Sequence, residues 1–223
     1  MKTGYTHITI ILDRTGSMQQ IRDDTIGGFN TFLREQKEQA GEATLTLVQF
    51  DSQDPYEVLQ DFRPIADVPE LTSATYVPRA STPLLDALGR GINDLGGKIS
   101  NLAEEKRPEN TVFVIVTDGR ENASREFRKE QIVQMIQECR EKNGWQFTFL
   151  SADLDAINDA AAYGIPNPSS LHFHKSGLGA DSAFRSSSRK VTDLRSGKSK
   201  DLAFSEEDRK VHEELRKKEQ DKE

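Results

Sequence analysis

The chain has 223 residues, which is long enough for one substantial domain and a short additional segment. A hydrophobic fraction of 35%, a charged fraction of 30% and a net charge of -7 indicate a domain with a polar segment and argue against nucleic acid as a partner. The single cysteine, Cys139, excludes an internal disulfide and a cysteine-based zinc site. No apolar run has the length of a signal-peptide core or a membrane span, so we expect a cytoplasmic protein without membrane contact.

The first predicted strand ends in a group of oxygen-bearing side chains. The first strand carries a short apolar run rich in β-branched side chains, Ile8, Ile10, Ile11 and Leu12, which is typical of a strand buried on both faces of a parallel sheet. Asp13, Thr15 and Ser17 follow at alternate positions. Their oxygens suit Mg²⁺, Ca²⁺ or Mn²⁺. In the alternative interpretation, Asp13 and Ser17 only cap the next helix, and this segment alone does not decide between the two.

The next elements predict a helix followed by a hairpin. Apolar residues spaced by three and four indicate a helix that begins near Met18 and ends at Gly41. Two strands follow at residues 43–50 and 56–62. Because the connection between them is too short for a parallel crossover, we expect an antiparallel pair with the second strand at an edge of the sheet.

A second helix and a very hydrophobic strand come next. After an irregular stretch, Thr82 and Pro83 open a helix, since proline is favoured at the first helical position and a hydroxyl residue before it can cap. Its apolar stripe runs through residues 84–102. The strand at residues 110–116 is the most hydrophobic in the chain and is soon followed by Asp118.

The alternation of helix and strand continues after this. Cys139 lies on the buried face of the following helix, where a small core residue is expected rather than a reactive thiol. Three further elements are predicted, a strand, a helix and a strand: residues 145–150, 155–163 and 171–174. His172 and His174 share one face of the last strand, but no third ligand accompanies them, so ordinary exposed histidines are favoured over a metal pair.

The composition changes near residue 175, so we predict a domain at residues 1–175 and a polar extension at 176–223. Residues 182–188 are interpreted as linker-like because they hold few large apolar side chains. A charged terminal helix is expected to begin with a capping box of Ser205 and Asp208. The nearby apolar side chains expected to dock on the main domain are Leu202 and Phe204.

These elements predict an α/β fold, doubly wound, with a mainly parallel sheet, one antiparallel edge strand and helices on both faces. The two most hydrophobic strands should be central and adjacent, so that Asp13 and Asp118 end at the same edge. Thr82 can reach the same crevice from its helix start. The predicted cation site contains only oxygen ligands: Asp13, Thr15, Ser17, Thr82 and Asp118.

This five-residue pattern resembles the metal ion-dependent adhesion site of von Willebrand factor A domains, and the resemblance covers residues 5–174. Residues 121–127 and 152–156 are also similar to stand-alone bacterial members. The resemblance implies a Rossmann-like domain that binds Mg²⁺, with Mn²⁺ or Ca²⁺ as alternatives. It also implies that an aspartate or glutamate of a partner protein completes the coordination of the metal.

Three arginines lie near the predicted site in the sequence: Arg14, Arg79 and Arg120. Their guanidinium groups could attract the acidic partner despite the negative net charge. In the alternative, they pair with surface carboxylates: Asp23, Asp24 and Glu121.

A metal-dependent phosphohydrolase is the rival function. Haloacid dehalogenase-like phosphatases also carry an aspartate after the first strand, but their second aspartate would stand where this chain has Thr15. The chain lacks a P-loop lysine, a Gly-x-Gly-x-x-Gly motif and a Gly-x-Ser-x-Gly elbow, and no histidine falls near the site as a general base. We therefore predict a binding module without catalytic residues, whose oligomeric state the sequence leaves open.

Overall fold

The computed structural model describes residues 1–220, and the surroundings of side chains are described for all of these except positions 177, 216 and 218–220. The described residues form one six-stranded sheet: β1 (Lys2–Asp13), β2 (Glu42–Phe50), β3 (Glu57–Pro64), β4 (Pro108–Thr117), β5 (Gln146–Ser151) and β6 (Ser170–His172). The strand order is β3-β2-β1-β4-β5-β6, and β3 is antiparallel to β2 while the other neighbours are parallel. The predicted antiparallel edge strand is confirmed.

Helices cover both faces of the sheet, and these are α1 (Arg22–Lys37), α2 (Leu84–Asn101), α3 (Lys129–Asn143), α4 (Leu154–Ala162), α5 (Gly177–Arg195) and α6 (Glu206–Gln220). Helices α1 and α5 bury their apolar side chains in one hydrophobic cluster, and α2, α3 and α4 bury theirs in another. The predicted doubly wound α/β fold is confirmed. None of the helices described here has both the length and the apolar character needed to cross a membrane.

The two central strands are β1 and β4, as predicted. Ile8, Ile10 and Leu12 of β1 belong to one hydrophobic cluster, whereas Ile11 belongs to the other, so the strand contributes to both faces. Leu12 is paired with Val116 of β4 in parallel register. The carboxyl ends of β1 and β4 therefore meet at one edge of the sheet.

The core continues beyond residue 175, so the predicted boundary of the domain is wrong. The supposed linker at residues 182–188 is the middle of α5, where Phe184 has 1% of its surface exposed. Ser187 and Ser188 are also fully buried, and the Gln36 side-chain amide donates hydrogen bonds to Ser188. A stretch with few large apolar side chains resembles a linker in sequence, but small side chains on a helix allow close packing against a neighbour.

Gly28 on α1 provides the space for this packing. A Cβ atom at position 28 would lie 2.5 Å from Cδ2 of Phe184, so a larger residue would push α5 away from α1. Further along, Leu202 and Phe204 are buried in the same cluster, as predicted. The capping box is also confirmed, because the Ser205 N–H donates to Asp208 Oδ2 and the Asp208 N–H donates to Ser205 Oγ.

We expect Phe184→Ala to lower the free energy of unfolding by about 3–5 kcal/mol, because a large side chain is removed from a packed core. Urea denaturation measures this change. Leu178→Ala on the same helix is the control, since Leu178 is 59% exposed and its truncation should change stability by less than about 0.5 kcal/mol. Equal stability of the two variants would show that α5 is not part of the core.

Candidate metal centre

Asp13 is the most enclosed carboxylate of the predicted site. It lies at the end of β1 with none of its surface exposed. Its Oδ1 accepts the Thr15 N–H at 2.7 Å, and its Oδ2 accepts the Thr117 hydroxyl at 2.6 Å. Burial raises the pKa of Asp13 to about 7, and the charge of Asp118 adds to this while the hydrogen bonds from Thr117 and Thr15 oppose it. Additional positive charge would therefore stabilise the ionised form.

Hydrogen bonds connect Asp13 to Asp118. The Thr15 N–H donates to Asp13 Oδ1, Thr15 Oγ1 lies 3.2 Å from Ser17 Oγ, and the Ser17 hydroxyl donates to Asp118 Oδ1 at 2.6 Å. Ser17 belongs to the 3-10 turn Gly16–Ile21, which is separated from β1 by Arg14 and Thr15. The structure thus brings four of the five predicted ligands into one hydrogen-bonded cluster of oxygen-bearing side chains.

Thr82 lies on the loop beside this cluster. It is buried, and its N–H donates to Asn122 Oδ1 at 2.9 Å. This loop is joined to the segment that follows β1, because the Gly16 N–H donates to the Ala80 carbonyl at 3.0 Å. Ala80 has a φ of 60°, the left-handed conformation that glycine adopts most easily. The Thr82 hydroxyl as a metal ligand stays a prediction.

The loop after β4 caps the start of α2. Glu121 Oε2 accepts the Leu85 N–H at 2.9 Å, and Ser124 Oγ accepts the Asp86 N–H at 3.1 Å. Asp86 in turn accepts backbone N–H groups from residues 125–127. Helix α2 begins at Leu84, one residue later than predicted. These reciprocal hydrogen bonds fix the loops that carry Thr82 and Asp118 relative to each other.

Arg14 does not face a partner, so this prediction is wrong. Only 5% of the residue is exposed, and its Nε donates to Asp51 Oδ2 at 2.9 Å. It also bonds to Gln49 and contacts Glu57. The alternative pairing with Asp23, Asp24 or Glu121 is not formed either. Successive side chains point to opposite sides of an extended chain, so a residue next to Asp13 need not face the site.

Arg79 and Arg120 are half exposed and already paired. The Arg79 Nε donates to Asp51 Oδ2 at 2.9 Å, so Asp51 joins Arg79 to Arg14. Arg120 lies 2.9 Å from an oxygen of Asp159. A role for Arg79 and Arg120 in partner binding stays a prediction.

Three residues that touch the site were not singled out from the sequence. Thr117 binds Asp13, and its place directly before Asp118 could have indicated this. The buried Tyr76 donates its hydroxyl to the Asp13 carbonyl at 2.6 Å, but its irregular loop gave no signal. Lys175 follows β6, and its Nζ lies 2.6 Å from Asp118 Oδ2. Lys175 belongs to no periodic pattern or motif in the sequence, so no signal in the sequence indicates this contact.

The other candidate groups lie apart from this cluster. His172 Nε2 lies 3.2 Å from the Ala152 carbonyl, and no group of three or more His, Cys, Asp or Glu side chains in the described part of the chain is placed to hold a metal. A metal at the candidate site would therefore depend on hydroxyl ligands. Cys139 is a core residue, as predicted, and burial raises the pKa of its thiol to about 11.

The doubly wound sheet and the oxygen cluster at the carboxyl ends of its central strands define an α/β domain with its site in the usual crevice. The chain has the von Willebrand factor A fold, which confirms the predicted resemblance at the level of the fold. No protein-family model and no curated protein matches the chain.

Several solved structures share this fold. Proximal thread matrix protein 1 from the mussel byssus matches with a TM-score of 0.57 and 14% identity, over 85% of this chain and 46% of that one. A von Willebrand factor type A structure from Catenulispora acidiphila has a TM-score of 0.53 and 12% identity, over 84% of this chain and 42% of that one. Manganese-loaded TRAP protein from Plasmodium vivax has a TM-score of 0.53 and 13% identity, over 82% of this chain and 73% of that one. The chain thus spans less than half the length of the mussel and Catenulispora chains.

We expect Arg14→Gln to lower the free energy of unfolding by about 3–5 kcal/mol, because it leaves the buried carboxylate of Asp51 without the more buried of its two arginine partners. Chemical denaturation checks this value. Arg120→Gln is the control, since 52% of the Arg120 side chain is exposed and its loss should change stability by less than about 0.5 kcal/mol. If Arg14→Gln proves as stable as the wild type, Arg14 is not a structural residue.

Proposed function

We propose that this chain is a divalent-metal-dependent protein-binding module. The observation that carries the proposal is the hydrogen-bonded cluster of oxygen-bearing side chains formed by Asp13, Thr15, Ser17 and Asp118. These four residues and Thr82 would hold the ion. Mg²⁺ is the expected metal, with Mn²⁺ and Ca²⁺ as alternatives, because hard cations prefer oxygen ligands.

The residues present fit such an ion. The cluster offers carboxylate and hydroxyl oxygens, and its carboxylates already attract a positive charge, the ammonium of Lys175. The buried Asp13 has a raised pKa, which a bound cation would lower. Two structures that share the fold support a divalent metal: the mussel protein has been solved with a zinc-occupied MIDAS motif, and the Plasmodium protein is manganese-loaded.

The partner we propose is a protein that presents an aspartate or glutamate. A divalent ion supplies a coordination position that a carboxylate oxygen can fill. With only two carboxylates and otherwise neutral hydroxyl ligands on this chain, a third carboxylate from outside is electrostatically favourable. Three exposed apolar side chains lie in segments next to the carboxyl ends of strands and suit contact with a protein: Val77, Leu154 and Leu178.

The rival function, a metal-dependent phosphohydrolase, would need Asp13 as a nucleophile. Asp13 is fully buried, and both of its carboxylate oxygens accept hydrogen bonds. A substrate phosphorus atom would have to reach this buried carboxylate, and the second aspartate of such phosphatases is replaced here by Thr15, so we propose that the chain is not an enzyme. Turnover of a generic phosphate ester that is lost in Asp13→Asn would support the rival function.

We expect one Mn²⁺ or Mg²⁺ ion to bind, and we expect Asp13→Asn and Asp118→Asn to abolish this binding because each removes a charged ligand. Isothermal titration calorimetry measures the binding. Metal at a hundred times its Kd should stabilise the wild type by about 2.7 kcal/mol in thermal unfolding. Asp159→Asn is the control, since Asp159 is a carboxylate outside the cluster that pairs with Arg120. Equal melting curves in millimolar metal and in EDTA would contradict the proposal.

The partner is tested by affinity capture from the native source. We expect a protein that is retained in Mg²⁺, released by EDTA, and absent when Asp118→Asn is the bait. Replacement of single aspartates and glutamates of the captured protein by amides should then identify one residue whose loss abolishes binding. Capture that is equally strong in EDTA would contradict metal-dependent recognition.

A further inference from the structure

Lys175 places a positive charge inside the acidic cluster. Its Nζ lies 2.6 Å from Asp118 Oδ2, while the other oxygen of this carboxylate accepts the Ser17 hydroxyl. The Asp118 side chain is fully buried and the Lys175 side chain is 31% exposed. Among the described residues, Lys175 is the ion-pair partner of Asp118 Oδ2, and this oxygen accepts no hydrogen bond of regular geometry.

The backbone holds Lys175 at this position. The residue lies between β6 and α5, where the Ser176 side chain caps the helix by accepting the Gly179 N–H. Gly179 itself packs tightly, because a Cβ atom there would lie 2.0 Å from the His174 carbonyl oxygen. Helix α5 is anchored on α1 through Phe184. The backbone of Lys175 is therefore fixed, while its four-carbon side chain can swing away into solvent.

We propose that Lys175 is a built-in counter-cation that competes with the divalent metal and thereby sets the metal affinity of the site. The inference rests on the proposed function, since it concerns the same cluster. An ammonium in contact with Asp118 and a divalent ion bound to the same carboxylate would repel each other strongly, because the Asp118 side chain is buried and the two charges would lie close together. Binding of the ion must therefore displace the ammonium, and the loss of its ion pair weakens the observed affinity.

The Lys175 ammonium would also stabilise the two carboxylates whenever no metal ion is bound. Two buried carboxylates close together repel each other, and the charge of Asp118 contributes to the raised pKa of Asp13. Lys175 offsets part of this charge without adding a metal. The protein can thus keep its ligands in place before metal arrives, at the cost of a weaker site.

The test compares Lys175→Met with the wild type by Mn²⁺ titration, followed by calorimetry and by the electron paramagnetic resonance of free Mn²⁺. We expect Lys175→Met to bind Mn²⁺ at least about tenfold more tightly, since an opposing charge next to a ligand is removed. In EDTA, the same variant should melt at a lower temperature than the wild type. Lys175→Arg keeps the charge and should bind Mn²⁺ no more tightly than the wild type.

Lys98→Met is the matched control. Lys98 also lies 2.7 Å from an aspartate oxygen, in Asp94, and its side chain is likewise 31% exposed, but it is on α2 away from the cluster. The Lys98→Met variant should bind Mn²⁺ with the same affinity as the wild type. If Lys98→Met binds as tightly as Lys175→Met, the gain comes from net charge and the inference is overturned.

The remaining outcomes separate this inference from the proposed function. If the wild type binds Mn²⁺ and Lys175→Met binds it equally or more weakly, Lys175 is not a competitor, and the proposed function stands. If neither protein binds Mn²⁺, both proposals fail. Binding by Lys175→Met alone would support the inference, because the ammonium then excludes the ion, and would overturn the proposed function of the wild-type chain.

Discussion

The parallel pairing of β1 with β4 is the constraint on which the rest of the site depends. It brings Asp13 and Asp118, at the carboxyl ends of the two strands, to one edge of the sheet, where burial and the charge of Asp118 disfavour the ionised form of Asp13. The surrounding groups offset this repulsion. Hydroxyls of Ser17 and Thr117 donate to the two carboxylates, and the Lys175 ammonium contacts one of them. The loops are thus organised around a local excess of negative charge.

A second polar network holds the loops that carry these groups. Asp51 is fully buried and joins Arg14 and Arg79, so the loop after β1 is tied to the loop before α2. Glu121 acts in the same way from the β4 side, because it caps the amino end of α2. Charged residues near the site therefore stabilise its loops as well as forming the site itself. Their proximity to the cluster does not make them contacts for a partner.

The sequence predicts most of the sheet because hydrophobicity and connection length are strong signals. The two most apolar strands are central, and the short link between residues 50 and 56 gives the antiparallel edge. Prediction from the sequence fails where the direction of a side chain or the packing of a helix determines the structure. Arg14 was assigned to the site by its place beside Asp13, although neighbouring residues of an extended chain face opposite ways. The buried serines of α5 resemble a linker in composition, and only the hydrogen bonds from Gln36 to Ser188 and the contact of Phe184 with Gly28 show that this stretch packs on α1.

The left-handed alanine at position 80 has a consequence for how finely the site is shaped. An L-residue with a side chain costs roughly 1–2 kcal/mol in this conformation, and here the carbonyl of that residue accepts the Gly16 N–H. Glycine would remove this cost but would give the unfolded chain more conformations to lose. Alanine instead narrows the range of shapes that the loop can adopt once the chain has folded. Thr82, two residues further on, therefore belongs to a loop that can adopt few conformations.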